Sequence, residues 1–243
     1  MKQRPGHRVL HFLKNLDNDL RESLLIQLRN LWTHTSTAIE GNTLTLGETA
    51  FVLGEGLTIS GKPLKDHQEV VGHARAIDLV YEYLEQGRTF TEVDLFALHK
   101  AVQTEVVVDV YKPVGGWKKE PNSTVAVVDE KQVIFEYAPP ADVPGLMANW
   151  LKLFNEQCQT IMPEDRRQAL EAYVHLHLAF VRIHPFFDGN GRLARLVANI
   201  PVLNAGLPPI IIPREQRKTY IDELSAYHYA VRQIRAGDEL VPY

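Results

Sequence analysis

The spacing of apolar residues changes period only once along the chain, between Val114 and Pro139, and that single change restricts the fold more than any other feature. Elsewhere apolar side chains recur every three or four residues, the pattern of helices that bury one face. Leucines at 20, 24, 25, 28 and 31 predict an amphipathic helix over about 16–39 that breaks at Gly41-Asn42. Val70, Ala74, Ile77, Tyr81 and Leu84 share one face of a helix over 65–86, and Gly87 follows its end. Thr91 caps TEVDLFALHKAV, Asp142 precedes a helix over 143–157, and Pro163 opens another with a buried stripe of Ala169, Tyr173, Leu176, Phe180 and Ile183. Pro185 disfavours the α conformation at His184, so that helix must stop there. A further helix starts at the Gly189-Asn190-Gly191 turn and runs to Asn204. In the exceptional stretch, two β-branched and aromatic runs, 124–128 and 133–137, are joined by Asp129-Glu130-Lys131-Gln132 and predict a hairpin. The expected fold class is mainly α, a helical bundle carrying one β-hairpin.

Composition narrows the partners. With 45% hydrophobic and 23% charged residues, the 243-residue chain can bury one sizeable core. A net charge of −4 and a pI near 6.2 give no basic footprint for a phosphate backbone, so a protein or small molecule is expected rather than nucleic acid. The single cysteine, Cys158, excludes an intramolecular disulfide framework, suits a reducing compartment and reads as a small buried hydrophobe. No stretch approaches ~20 uninterrupted apolar residues and the N-terminus lacks a signal-peptide run, so no membrane partner and a cytoplasmic location are expected. The ending at Val241-Pro242-Tyr243 is abrupt, as if the natural chain continued.

Chemistry concentrates in HPFFDGNGRLAR, residues 184–195. Two glycines free the backbone of Asp188-Gly189-Asn190-Gly191 to turn sharply, and the amides of the helical turn that follows point outward unpaired, forming an anion nest. Arg192 and Arg195 lie near the N-terminal end of that helix, where a cation does not help the dipole, so they are better explained by an anion that they grip. Asp188 supplies one carboxylate beside the nest, which is how magnesium is usually held in nucleotide sites. His184 can accept a proton from an attacking hydroxyl near neutral pH. Together these are the parts that phosphoryl-type transfer needs.

The stretch resembles the signature of the Fic family, His-x-Phe-x-(Asp/Glu)-Gly-Asn-Gly-Arg-x-x-Arg, with every fixed position filled. The leading helix HLHLAFVRI, the hairpin followed by Pro139-Pro140, and GLPPIIIPREQRKTY extend the resemblance over about 36–237. It implies a Fic-type fold and a Mg2+-dependent protein adenylyltransferase, a nucleotidyltransferase that moves AMP from ATP to a Ser, Thr or Tyr hydroxyl. Carried over by position, His184 would be the general base and Phe186 would pack beneath the loop. Asp188 would bind the metal, Gly189, Asn190 and Gly191 the α- and β-phosphates, Arg192 would anchor the site, and Arg195 would take the γ-phosphate. Tyr220 matches an aromatic of the adenine pocket, whereas relatives commonly have an asparagine where this chain has His228. The segment 117–137 resembles the family's flap, on which a protein substrate docks as an added strand. Beside it, Lys118 and Lys119 read as a solvated charge pair.

A carboxylate at a helix C-terminus faces the wrong end of the dipole, so Glu40 implies a cationic partner. STAIEGN resembles the family's inhibitory motif, (Ser/Thr)-x-x-x-Glu-(Gly/Asn), with Ser36, Glu40 and Gly41 at its fixed positions and Arg195 as the implied partner. The resemblance therefore implies an autoinhibited enzyme of the subgroup with an N-terminal inhibitory helix. The expected division is 1–90 for the helical region carrying that helix over about 16–42, 91–238 for the Fic core, and 239–243 for a tail. Leu64 falls in a stretch similar to a dimer contact, which implies a homodimer.

Three alternatives remain open at this level. One is removal of AMP from proteins, with Glu40 orienting a water. Another is a non-enzymatic binding module using the hairpin or Tyr227-His228-Tyr229. The third is a metal-dependent hydrolase on His175, His177, His184 and Asp188, although residues two apart do not share a helix face. His7 and His11 have helical spacing without a third ligand.

Overall fold

The computed structural model describes residues 10–103, 109–128 and 131–242. After a 3-10 turn at His11–Leu13, helix α1 runs Asn18–Ile39, with the Asp17 carboxylate accepting from the Leu20 amide at 2.9 Å. The expected leucine stripe is not its buried face. Leu20, Leu24 and Leu31 are exposed, and the buried part is the last two turns, from Trp32 to Ile39, enclosed on all sides. Periodicity shows that a helix has an apolar face. It does not show which turns receive a partner, and among the described residues the first turns receive none.

Helix α2, Leu46–Glu55, was not anticipated, although Thr45 and Glu48 form a reciprocal capping box at its start. Helix α3, Leu64–Gln86, buries Val70, Ala74, Ile77 and Leu84 as expected and ends at Gly87; Leu64 itself is exposed. Helix α4, Glu92–Val102, begins where the Asp94 carboxylate accepts from the amide and hydroxyl of Thr91.

Strands β1 (Ser123–Val128) and β2 (Lys131–Glu136) pair antiparallel with Thr124 opposite Phe135 and Val125 opposite Ile134. The predicted four-residue connection is therefore too long. Lys131 and Gln132 already pair with Val128 and Val127, and Asp129-Glu130 lies outside the described residues.

Helix α5, Val143–Thr160, and helix α6, Arg166–Ile183, pack side by side. Helix α6 starts three residues after Pro163, because the Asp165 side chain caps it by accepting from the Arg167 and Gln168 amides, both at 3.0 Å. The helix predicted over 189–204 is two: α7 (Asn190–Val197) and α8 (Asn199–Asn204), broken at Ala198. Pro201 has no N–H for the Val197 carbonyl four residues back, so the ladder cannot continue. A 3-10 turn at Arg214–Gln216 leads into α9, Arg217–Val231.

One core cluster takes side chains from α1 and from α3 through α8, with Trp32, Ile77, Leu98, Trp150, Phe180 and Leu196 among its members, while Leu44, Val52 and Val70 form a smaller one. Cys158 is half-buried against the main cluster. Beyond α9, the chain stays on the core: Arg182, itself buried, donates to the carbonyls of Val231, Glu239 and Leu240. Trp150 packs against Phe154 and Phe180 and donates to the Leu176 carbonyl at 3.0 Å. Its replacement, Trp150→Ala, is expected to cost about 3–5 kcal/mol, read as a lower urea midpoint at unchanged slope.

Candidate functional site

The site lies where the C-terminal ends of α1 and α6 meet the N-terminal end of α7. His184 ends α6 in the left-handed region, φ 54 and ψ 61, outside the right-handed α region that Pro185 disfavours and unfavourable for a residue with a Cβ by about 1 kcal/mol or more. Its Nδ1 lies 3.4 Å from the Val181 carbonyl, which can only accept, so the ring proton belongs on Nδ1 and Nε2 keeps a free lone pair. Tyr137 stacks on the imidazole at 3.7 Å and 11°. Burial, and then the positive charge of Lys118, push His184 down to about 3, so the ring is neutral at pH 7.

Phe186 is fully buried and stacks on His99 at 3.8 Å. Its amide donates to the Asn190 Oδ1 at 2.9 Å, and Asn190 Nδ2 donates back to the Phe186 carbonyl at 2.8 Å. The Asn190 side chain thus closes the loop with one bond from its NH2 and one to its oxygen. Gly189 takes φ 77 to turn the chain into α7. Leu193 is the first amide to find a helical acceptor, the Gly189 carbonyl at 3.0 Å, so the N–H groups of Asn190, Gly191 and Arg192 have no backbone acceptor among the described residues. They form the nest.

Sequence reasoning missed His99. Gly115 N–H donates to its Nδ1 at 2.8 Å, so Nε2 carries the proton and donates to the Asp188 carbonyl at 3.1 Å. One neutral imidazole therefore braces both Phe186 and Asp188. The available signal was a polar residue inside the α4 stripe of Leu95, Leu98 and Val102. Asp188 leaves its side chain 55% exposed and only loosely paired with Arg192, at 3.6 Å. That open carboxylate beside free amides suits a magnesium ion that takes its other ligands from phosphate and water. Arg192 is buried and turned from the nest: it donates to the Val102 carbonyl and Gln103 and faces Glu69 at 3.7 Å.

Arg195, 3% exposed, collects four bonds. Nη2 donates to Glu40 Oε1 at 2.7 Å and to the Ser36 carbonyl at 2.8 Å, Nε to Ser36 Oγ at 3.2 Å, and Nη1 to the Tyr220 hydroxyl at 3.3 Å. Burial is the largest single influence and works against its charge, but Glu40 and Tyr220 together outweigh it and hold the guanidinium's pKa above the ordinary value. Glu40 reaches this position because Gly41, φ 102, turns the chain off α1, and Asn42 and Thr43 then bond to Asp66 and Glu69 of α3. Arg217 also donates to the Ile39 carbonyl at 2.7 Å, satisfying one free acceptor at the end of α1. The Glu40 carboxylate lies over Gly191: a Cβ built there would sit 2.5 Å from Oε1 and 3.3 Å from Arg195 Nη1.

Tyr220 and His228 are not brought together. Tyr220 bonds to Arg195 and to His177 Nε2 at 2.9 Å, whereas His228, two turns on, stacks on Phe135 at 4.4 Å and lines a groove with Ile134, Tyr229 and Arg232. His177 is held by Tyr220 and His175 is half-buried two positions away, and among the described residues no three His, Cys, Asp or Glu side chains gather as metal ligands. His7 lies outside the described residues. Lys118 corrects the expectation of a solvated pair: it is 2% exposed, and only Lys119 is exposed.

The helical frame brings a neutral histidine at the end of α6, an anion nest at the start of α7 and a buried arginine on that helix to one place, and comparison with known proteins identifies the class of fold. Residues 89–201 match the Fic/DOC family model. The chain is 29% identical over 224 residues to protein adenylyltransferase fic-1 of Caenorhabditis briggsae, covering 89% of this chain and 41% of that protein. It is 32% identical over 197 residues to protein adenylyltransferase Fic of Drosophila persimilis, covering 80% and 34%. Among solved structures, a Fic domain containing signaling protein from Bacteroides thetaiotaomicron superposes with a TM-score of 0.77 at 27% identity, over 92% of this chain and 81% of that one. Fic-1 (aa134–508) from C. elegans gives 0.71 at 27%, over 93% and 63%. The chain belongs to the Fic/DOC family, and it spans well under half the length of these two curated relatives. Among the described residues no helix is long and apolar enough to cross a membrane.

Proposed function

We propose that the chain is a protein adenylyltransferase held inactive in this conformation by its own Glu40. The observation that carries this reading is the Glu40 carboxylate over Gly191, 2.7 Å from Arg195, where an anionic phosphate would need both the nest and the guanidinium. A second anion at that place meets like charge and finds its cation taken. The relatives named protein adenylyltransferase support the chemistry.

In the released state the amides of Asn190, Gly191 and Arg192 bind the α- and β-phosphates, and Arg195 takes the γ-phosphate. Asp188 holds magnesium, which when bound neutralises charge on the phosphates. A substrate Ser, Thr or Tyr hydroxyl, presented by a segment docked along the β1–β2 hairpin, attacks the α-phosphorus. The new O–P bond forms as the bond from the α-phosphorus to the bridging oxygen breaks. Pyrophosphate leaves, and His184 Nε2 takes the hydroxyl proton.

The test is self-labelling with α-phosphate-labelled ATP and magnesium. Glu40→Gly is expected to incorporate label at least tenfold faster than the unaltered chain. Equal labelling of the two would remove the inhibitory role, and no labelling of either despite ATP binding would remove the transferase reading.

A further inference from the structure

Three hydrogen bonds run from the segment ahead of β1 to the loop that carries His184. The Lys118 amide donates to the Pro185 carbonyl at 2.9 Å, Asn122 Nδ2 to the Phe186 carbonyl at 3.0 Å, and Lys118 Nζ to the Ile183 carbonyl at 3.5 Å. Lys118 Nζ also donates to Asn122 Oδ1 at 2.6 Å, which joins the two residues into one unit. It lies 5.9 Å from the ring centre of Tyr137, the residue stacked on His184.

This lysine is 2% exposed, and among the described residues its ammonium is held by an amide oxygen and a carbonyl, with no carboxylate in ion-pair reach. Burying an unpaired cation is expensive. Burial accordingly brings Lys118 down to about 7. The positive charge of Lys118 bears on His184, where it is the largest influence after burial.

We propose that Lys118 is a positioning residue for His184, and that with Asn122 it forms a latch fixing the β1–β2 hairpin to the base loop. Hairpin and base then move as one body, and a segment docked on the hairpin brings its hydroxyl to Nε2 at a set distance. The same charge disfavours the imidazolium, so the His184 midpoint reports whether the ammonium is seated beside the ring, while the contribution of the latch to catalysis is one of position. This inference rests on the adenylyl-transfer reading.

The test uses the full chain carrying Glu40→Gly, with Lys118→Met, Lys118→Arg or Asn122→Ala added. One readout is kcat and KM for ATP in AMP transfer. The other, independent of activity, is the protonation midpoint of His184 by NMR of ¹⁵N-histidine-labelled protein, assigned with His184→Ala. The other titratable groups facing His184 are His228 from α9, Tyr137 next to β2 and Asp188 on its own loop, and all variants keep them.

Lys118→Met is expected to lower kcat at least tenfold with KM for ATP within twofold, and to raise the His184 midpoint by about a pH unit. Lys118→Arg restores the midpoint, and Asn122→Ala lowers kcat without moving it. An unchanged midpoint or an unchanged kcat in Lys118→Met overturns the proposal. Should that variant fail to fold, an unchanged kcat in Asn122→Ala overturns it instead. If no background transfers AMP, the transferase reading fails on its own, and the NMR midpoint still decides for or against the latch.

Discussion

Adding His184→Ala to the Glu40→Gly chain should lower the rate of AMP transfer by about 10²–10⁴-fold, the usual loss when a positioned general base is removed, while ATP affinity by calorimetry stays within a few-fold. The two readouts separate because the proposed function assigns the phosphates to the nest amides and Arg195, and only the proton transfer to His184. The loop that carries His184 is held by the Asn190–Phe186 bond pair and the His99 brace. The base is also neutral well below the ordinary histidine range, with its folded pKa near 3. A lowered pKa keeps the acceptor form available as pH falls from 7, so the acid limb of kcat/KM in Glu40→Gly should lie below pH 6 rather than at the unperturbed ~6.5. Placing that limb at 6.5 or above would mean that the ring is not shielded as Tyr137 and Lys118 place it.

How much of this site was legible in the sequence depends on how far apart its parts lie along the chain. His184 through Arg195 is one contiguous turn between two helices, so Pro185 and the two glycines were enough to predict where α6 stops and the nest opens. Glu40 and Arg195 are 155 residues apart, yet a carboxylate at the wrong end of a helix dipole already required a cation. His99 and Lys118 gave no such sign. Each is a polar side chain whose role comes from being buried against a loop 65 or more residues away, and burial is decided by the whole fold rather than by neighbours. The α1 leucines failed in the opposite sense, since a correct helical period says nothing about which turns are covered. In α2 the sequence does carry a signal, the Thr45-x-x-Glu48 capping box at its start.

Removing the arginine of the Glu40–Arg195 pair should not switch on AMP transfer. Arg195→Ala frees Glu40 as completely as Glu40→Gly frees Arg195, so if inhibition were only a matter of breaking the ion pair, both variants would label. Instead Arg195→Ala is expected to stay inactive, and Glu40→Gly with Arg195→Ala to lose at least about 100-fold in kcat/KM for ATP relative to Glu40→Gly. That loss corresponds to about 2.7 kcal/mol, within the range for truncating one partner of a buried, hydrogen-bonded charge pair. The reason is that the proposed function gives one guanidinium to both anions: Glu40 Oε1 sits 2.7 Å from Arg195 Nη2 and over Gly191, where the phosphate would bind. Arg195 also donates to Ser36 and Tyr220, so its loss leaves a buried carbonyl and two hydroxyls without their donor and should lower the melting temperature as well. Steady-state kinetics beside a thermal melt therefore distinguish the cases. Labelling by Arg195→Ala at the rate of Glu40→Gly would show that the γ-phosphate needs no cation here, and would leave Glu40 as a steric plug over Gly191 rather than an electrostatic competitor.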